Sequence, residues 1–399
     1  MFGNYEQLLL VKNYTSIGDS FMKNFVRLSE VCTISASKAY IEEEDAWLLN
    51  LDKVESKTGR VLEHEVVPKE KLNGSIVQFD TGNVLYSKLR PNLNKVVLPE
   101  KNGYATSEML PLRPCESKLT KGYLAEYLRS DNFVSWAVGK TAGAKMPRLG
   151  TKVLMDKMIP LPPLEEQHKI VSLFSVVNHV ISLRQQQLAK LDELVKARFV
   201  EMFGDPVSNQ KEWKLVPLGK RCKIITGNTP SRAELENYGE FIEWIKSDNI
   251  NTPFMFITKA QECLSKTGFE KCRFVEAGSL LMTCIAGSIN CIGNVAVTDR
   301  RVAFNQQINA IVPAKDKVVY LYWLMMLSKP VINRTINMAL KGILSKRRLA
   351  EMEFPFPPLD LQEKFEGLVE KVNKSRRFIQ KSLEQMEILK KALMQKYFG

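Results

Sequence analysis

Two stretches of the chain decide its fold: Ile159 to Gly204, IPLPPLEEQHKIVSLFSVVNHVISLRQQQLAKLDELVKARFVEMFG, and Phe354 to Gly399, FPFPPLDLQEKFEGLVEKVNKSRRFIQKSLEQMEILKKALMQKYFG. They align without a gap at a shift of 195 residues, with 16 of 46 positions identical. Both open on Pro-x-Pro-Pro-Leu (Pro160, Pro162, Pro163, Leu164; Pro355, Pro357, Pro358, Leu359) and both close on Phe-Gly. They also share Gln167/Gln362, Asn178/Asn373, Leu194/Leu389 and Ala197/Ala392. A gapless match of this length marks a duplicated unit, and it must be read before any local feature.

Each copy reads as one long helix. No Gly or Pro interrupts Leu164 to Phe203, and only Gly367 interrupts Leu359 to Phe398. The prolines fix an extended lead-in, acids in the first turn (Glu165, Glu166; Asp360) suit the helix dipole, and Gly204 and Gly399 supply stops. At 1.5 Å per residue each helix is on the order of 60 Å long.

Apolar residues recur at alternating spacings of four and three. The stripe runs through Ile170, Phe174, Val177, Ile181, Leu188, Leu191, Val195 and Met202 in the first helix. In the second it runs through Phe365, Val369, Val372, Ile379, Leu383, Met386, Leu393 and Tyr397. Arg184, Arg198, Arg376 and Lys390 interrupt it, so the pattern predicts a coiled-coil seam with polar positions that fix register.

Connectivity sets the direction. The segment between the helices must leave the end of the first and enter the start of the second, and a compact domain of its size is only about 30–35 Å across. Those ends adjoin only if the helices run antiparallel, with one globular domain near each end and a pseudo-two-fold axis between them. The expected division is 1–158, a first globular domain; 159–204, a central helix; 205–353, a second domain; and 354–399, a C-terminal helix. Met1-Phe2-Gly3 echoes the two Phe-Gly endings, so the chain reads as an almost closed circle of two units.

The globular domains are diverged copies of each other. Phe25-Val-x-Leu28-x-x-x-Cys32-x-Ile34 resembles Leu215-Val-x-Leu218-x-x-x-Cys222-x-Ile224. Trp47 and Asp52 answer Trp244 and Asp248, Gly82 to Ser87 answers Gly278 to Thr283, and Ala105-Thr-Ser-Glu108 answers Ala303-Phe-Asn-Gln306. Short Val/Ile/Leu-rich runs between turn residues predict a mixed α/β fold for each. The fold class is therefore α/β (α+β), two mixed domains alternating with two long helices.

A net charge of +13 points to a polyanionic partner. The first domain carries net +3 and the second +7, against 0 and +3 for the helices. A basic stretch precedes each helix: Lys140, Lys145, Arg148 and Lys152, then Lys341, Lys346, Arg347 and Arg348. A second candidate is the segment of Lys88, Arg90, Asn92, Asn94 and Lys95. Lysine and arginine neutralise phosphates or read guanine edges, and Asn and Gln pair with adenine.

Catalytic machinery is not evident. There is no Gly-x-x-x-x-Gly-Lys-Ser/Thr phosphate loop, no Gly-x-Gly-x-x-Gly and no Asn/Asp-Pro-Pro-aromatic motif. The seven cysteines are odd in number and lack Cys-x-x-Cys spacing, and His64, His168 and His179 are isolated, so no metal site is expected. Free thiols suit a reducing cytoplasm, and no apolar run reaches the length of a membrane span.

Two variable domains, each followed by Pro-x-Pro-Pro-Leu-x-x-Gln and a long helix ending in Phe-Gly, resemble the specificity subunit of type I restriction–modification systems. The resemblance covers essentially the whole chain. Its other marks are Trp213, Leu218-Gly219, Thr226-Gly227-Asn-Thr229-Pro230, Trp244, Asp248, and Phe304-Asn305-Gln306-Gln307-Ile308-Asn309. It implies that each globular domain is a target-recognition domain reading one half of a bipartite duplex DNA site, in a bacterial or archaeal cytoplasm. Thr229, Lys246, Asn305 and Gln306 then join the candidate DNA contacts. The helices would set the spacer and dock methyltransferase subunits carrying S-adenosylmethionine, and restriction/translocase subunits would bring ATP and Mg. The chain itself would bind no cofactor and catalyse nothing. The first domain has Ser37-Lys38-Ala39-Tyr40 where the second has its Gly-x-Thr-Pro turn, so contacts of that turn do not transfer. Two alternatives stay open at this point: the recognition subunit of a related bipartite system that cuts beside its site, and a coiled-coil adaptor joining two protein-binding domains without DNA.

Overall fold

The computed structural model describes residues 24–35, 44–68, 70, 72, 76–143, 145–252, 254–336 and 342–399. The Met1-Phe2-Gly3 echo, Ser37 to Tyr40 and Lys341 lie outside them.

Two compact units emerge: Met1–Gln185 with Lys381–Gly399, and Gln186–Gln380. The division expected from the sequence followed chain order, whereas packing groups each globular domain with the start of its own helix and the end of the other.

In the first unit one four-stranded sheet has the order Cys32–Ile34, Met109–Pro114, Val84–Ser87, Val96–Val97, all antiparallel. The other has the order Val66–Pro68, Asp45–Leu49, Gly103–Thr106, Ile76–Phe79, with one parallel pair at its centre. The second unit repeats both. Cys222–Thr226, Ile308–Pro313, Leu280–Thr283, Val295–Val297 form the antiparallel sheet. Cys263–Leu264, Tyr238–Ile245, Val302–Phe304, Phe274–Val275 form the mixed one, again with the parallel pair at the centre. Val84–Ser87 and Leu280–Thr283 are buried at every residue, because both faces are covered. This is why those runs read as continuously apolar rather than alternating. The mixed α/β domains and the two long helices, Leu164–Phe203 and Leu359–Phe398, are thus present.

The helices run antiparallel. In the second unit Asp192 of the first helix pairs with Arg376 of the second. Eleven residues further along the first helix, Phe203 packs on Phe365, eleven residues earlier in the second, with ring centroids 5.4 Å apart. The first unit has the matching joint, where Phe174 stacks on Phe398 at 5.9 Å.

Within the expected seam, Ile170, Phe174 and Val177 are buried in the first unit, with Leu383; Ile181 and Met386 are half-buried. In the second unit Phe365, Val369 and Val372 are buried, while Leu188, Leu191 and Ile379 are half-buried. The expected stripe ended on Met202 and Tyr397. The fold instead turns the neighbouring Phe203 and Phe398 fully inward, with Phe199, because these ends enter the domain core and leave the seam.

The repeated Gln explains how each helix is fastened. Gln167 is fully buried; its Oε1 accepts from the Thr120 N–H at 2.9 Å and its Nε2 donates to Pro162 O at 2.9 Å and Lys118 O at 2.8 Å. Gln362 accepts from Lys317 N–H at 2.9 Å and donates to Pro357 O at 3.0 Å. One side chain therefore satisfies the proline lead-in and the unmade bonds at a domain-helix N-terminus together. A tyrosine completes each joint, Tyr123 donating to Pro160 O at 3.1 Å and Tyr320 to Pro355 O at 2.7 Å. The ring of Phe398 lies 5.5 Å from Tyr123, and that of Phe203 lies 4.9 Å from Tyr320.

Candidate nucleic-acid interface

In the second unit the turn Gly227 to Pro230 lies directly on the segment Phe304 to Gln307. Gly227 N–H donates to Ile308 O at 3.0 Å and Asn228 N–H to Phe304 O at 3.1 Å. A Cβ on Gly227 would sit 2.1 Å from Asn305 O, so only glycine permits this approach. The contact brings Thr229 and Gln306, both exposed, into hydrogen bonding with each other. Asn305 faces the other way. It is 7% exposed, and its amide is spent on Gln307, donating to Oε1 at 3.2 Å and accepting from the backbone N–H at 3.1 Å. Asn305 thus shapes the segment, while Thr229 and Gln306 present it.

Lys246 sits beside this turn, 5.3 Å from the Trp244 ring and 2.5 Å from Glu262. Arg232 covers the same tryptophan at 5.7 Å and pairs with the same Glu262 at 3.2 Å. Hydrogen bonding from Lys246, with Arg232 alongside, holds the Glu262 carboxyl below the usual carboxylate range. The sequence reading did not single out Arg232, Glu262 or Arg273, and it quoted Asn228 only as part of the turn motif. Asn228 Nδ2 donates to Lys271 O at 2.9 Å, and Arg273 donates to Thr226 O at 2.6 Å and to Asn228 Oδ1 at 2.8 Å, locking the turn. Arg232 stands two residues after Pro230, so proximity to the turn motif was the one signal available for it. Glu262 and Arg273 become visible only when the strands are paired.

In the first unit the two basic candidates come together. Leu89 bridges Arg148, Arg90 N–H donates to Pro147 O at 2.8 Å, and Leu149 N–H donates to Lys88 O at 2.9 Å. Lys88, Arg90 and Asn92 therefore share one surface with Lys145 and Arg148, all exposed except the half-buried Lys88. Arg90 and Asn94 take left-handed backbone angles, with φ of 49° at each. This bends the segment back on Pro91, and Asn94 is anchored by donation to Arg129 O at 2.9 Å. Arg148 is held by Glu108: Nε lies 3.0 and 3.2 Å from its two oxygens and Nη2 lies 3.0 Å from Oε1.

Strand register revises two correspondences drawn from the sequence. Leu344 N–H donates to Cys284 O at 2.8 Å, as Leu149 does to Lys88, so Arg148 corresponds to Ile343 and Thr151 to Lys346. The basic stretches are therefore not position-for-position matches. Ser87 pairs with Met109 and Thr283 with Ile308, which makes Glu108 the counterpart of Gln307, one residue beyond the Gln306 that alignment suggested. Lys346, Arg347 and Arg348 occupy the first turn of the helix Lys346–Glu351, capped by Ser345, which accepts from Arg348 N–H at 3.2 Å. All three are exposed, and Arg347 pairs with Glu351 at 2.8 Å.

Among the described residues no group of three or more His, Cys, Asp or Glu is placed to hold a metal ion, and no helix is long and apolar enough to cross a membrane. All seven cysteines are free; burial pushes the thiols of Cys32, Cys222 and Cys284 up to about 12.

A family model described as the type I restriction modification DNA specificity domain matches residues 22–193 and again residues 210–387. The EcoDI specificity subunit of Escherichia coli, a type I restriction enzyme component, is 25% identical over 218 residues, 53% of this chain. The match spans about half of that relative, 47% of its length. The putative MjaX specificity subunit of Methanocaldococcus jannaschii is 24% identical over 342 residues, 78% of this chain and 76% of the relative. Among solved structures, the type I system S subunit from M. genitalium superposes with a TM-score of 0.59 at 14% identity, over 96% of this chain and 98% of the other. A chain from a structure of type I R-M system assembly and conformational transition gives 0.58 at 18% identity, over 96% and 99%. These likenesses show the shared fold.

Proposed function

Because this chain belongs to the type I restriction modification DNA specificity family, we propose that it is the DNA-reading subunit of such a system, each globular domain recognising one half of a bipartite duplex site. The observation that carries this reading is a repeated frame with an unrepeated surface. Both units keep the same two sheets and the same Gln and Tyr joints. Yet their exposed polar groups do not repeat: one unit presents Arg90, Asn92 and Arg148 with the half-buried Lys88 among them, and the other presents Thr229 and Gln306 beside Lys246. Two readers of different half-sites need this combination, because base edges are read by side-chain donors and acceptors while a common scaffold fixes their placement. Two surfaces for different protein partners would diverge in the same way, and it is the family membership that favours DNA over an adaptor role.

In this reading the helices joining the domains set the spacer and dock methyltransferase subunits. Chemistry then resides on the partners: S-adenosylmethionine with the methyltransferase, ATP and Mg with restriction/translocase subunits. The exposed Lys and Arg supply the salt-dependent part of binding by neutralising phosphates.

A whole-genome methylation map of the host with and without this gene tests the proposal. Loss of one bipartite methyl-adenine motif is the expected result, and an unchanged map in a host whose partner genes are active overturns it. A one-turn insertion in both helices should lengthen the spacer of that motif and leave its half-sites intact.

A further inference from the structure

In each unit a candidate DNA-contacting cation is already held by a carboxylate. Arg148 is gripped through Nε and Nη2 by Glu108, at 3.0 to 3.2 Å. Lys246 and Arg232 converge on one carboxylate, Glu262, at 2.5 and 3.2 Å. Other cations are paired in the same way, Arg113 with Asp80 and Arg301 with Glu276 among them, but these two clusters are the ones that hold candidate DNA contacts against a carboxylate less than two-fifths exposed. Neither carboxylate is freely solvated, with side-chain exposures of 25% for Glu108 and 38% for Glu262. Each is therefore held against its cations, unlike the more exposed Glu351 at 62%.

We infer that Glu108 and Glu262 are specificity-determining residues which hold the recognition cations of the two domains against indiscriminate phosphate binding, releasing them to a site that offers the right base edges. The inference rests on the DNA-reading role proposed above. A carboxylate seated along a guanidinium takes the same donors that a guanine O6/N7 edge or a phosphate would take. Any DNA can offer a phosphate, but with the carboxylate in place the exchange gains little charge neutralisation. A cognate half-site adds base contacts from neighbouring groups such as Arg90 or Thr229 and Gln306, which tips the exchange. Discrimination is then raised by weakening the wrong complex, a recognised route to specificity.

The test uses the full chain assembled with its methyltransferase partners, a 30-base-pair duplex carrying the mapped motif, and the same duplex with both half-sites scrambled. Binding is titrated between about 50 and 200 mM salt, where each added phosphate contact steepens the log–log slope by about 0.9. Glu108→Gln should steepen the slope on scrambled DNA by about one contact and Glu262→Gln by up to two, with scrambled-site affinity rising several-fold at low salt. Motif affinity should rise less, so the specificity ratio falls. Pairing Glu108→Gln with Arg148→Ala should abolish the gain, which a general loosening of the fold would not do.

The inference is overturned if wild-type protein binds the motif while both Gln variants leave the scrambled-site slope unchanged. It is equally overturned if the gain survives removal of Arg148. If wild-type protein discriminates against no duplex at all, the DNA-reading proposal itself falls, a result distinct from either.

Discussion

In the first unit Val31 and Leu119 pack into the core beside the repeated Gln; at the corresponding places in the second stand Arg221 and Asp316. The correspondence is set by Cys32 and Cys222, one residue on, and by Tyr123 and Tyr320, four residues on. Arg221 Nε donates to Asp316 at 2.9 Å, and Gln362 Nε2 donates to the same carboxylate at 2.9 Å, whereas Gln167 uses Lys118 O in that role. One joint thus exists in an apolar and an ionic version within a single chain. The comparison teaches that the Gln anchor, with its proline and tyrosine partners, is the constant requirement, while the groups behind it are exchangeable if changed together. Buried ion pairs behave this way in general: removing one partner is costly, and replacing both by well-packed apolar groups can be nearly neutral.

The strongest way to break this comparison is Arg221→Val alone. It leaves Asp316, whose side chain is 1% exposed, with a single donor, and should cost about 3 kcal/mol, the low end for an orphaned buried charge because Arg221 is itself a third exposed. Adding Asp316→Leu should recover most of that loss in a denaturant melt of the second unit. If the double variant is less stable than Arg221→Val, the two versions are not interchangeable.

Next in size is loss of the anchor itself. Gln167→Leu strips partners from the Thr120 N–H, Lys118 O and Pro162 O, at about 1–3 kcal/mol. Gln362→Leu should cost more, since a carboxylate also loses a donor. Hydrogen exchange at the start of each helix checks the order, and equal losses would remove the distinction between the units.

A smaller effect concerns acid. Hydrogen bonding from Arg300, with the Ala260 N–H as well, holds Glu243 below the usual carboxylate range. A depressed carboxyl adds stability that is present above its unfolded pKa, about 4.3, and is lost as pH falls through the folded value. Glu243→Gln should therefore melt earlier than wild type at pH 7, and the two should converge toward pH 3. A gap that persists unchanged in acid would assign the effect to packing. The smallest expectation is for the exposed Arg347–Glu351 pair, where Glu351→Gln should leave the melting temperature within error.

Much of this frame could be read from the sequence, because the features that build it are periodic or repeated. The gapless match gave the two helices, chain connectivity gave their antiparallel direction, and paired runs such as Gly82 to Ser87 and Gly278 to Thr283 gave the duplicated sheets. The Gln was visible as a repeated residue, but its bond to a helix N-terminus in the globular domain was not, since it joins residues 45 or 47 apart. Phe203 and Phe398 were read only as part of the shared Phe-Gly endings; burial against Tyr320 and Tyr123 appears only after folding.

The recognition surface was the least legible part. Single cations such as Lys246 and Arg148 could be named, but the carboxylates that hold them lie 16 and 40 residues away in sequence and carry no periodic signal. Register also moved the match of Glu108 from Gln306 to Gln307, a one-residue shift that alignment of short runs does not detect. Surface chemistry that differs between copies is where a repeat stops informing.

The central claim is that each domain reads its own half-site on a shared frame. Its most direct measurement is a methylation map from a host expressing this chain with residues 210–353 exchanged for the corresponding domain of a relative of known motif. The account predicts that one half of the bipartite motif changes to the donor's, while the other half and the spacer stay as they were. Alteration of both halves together, or of neither while methylation persists, would contradict it.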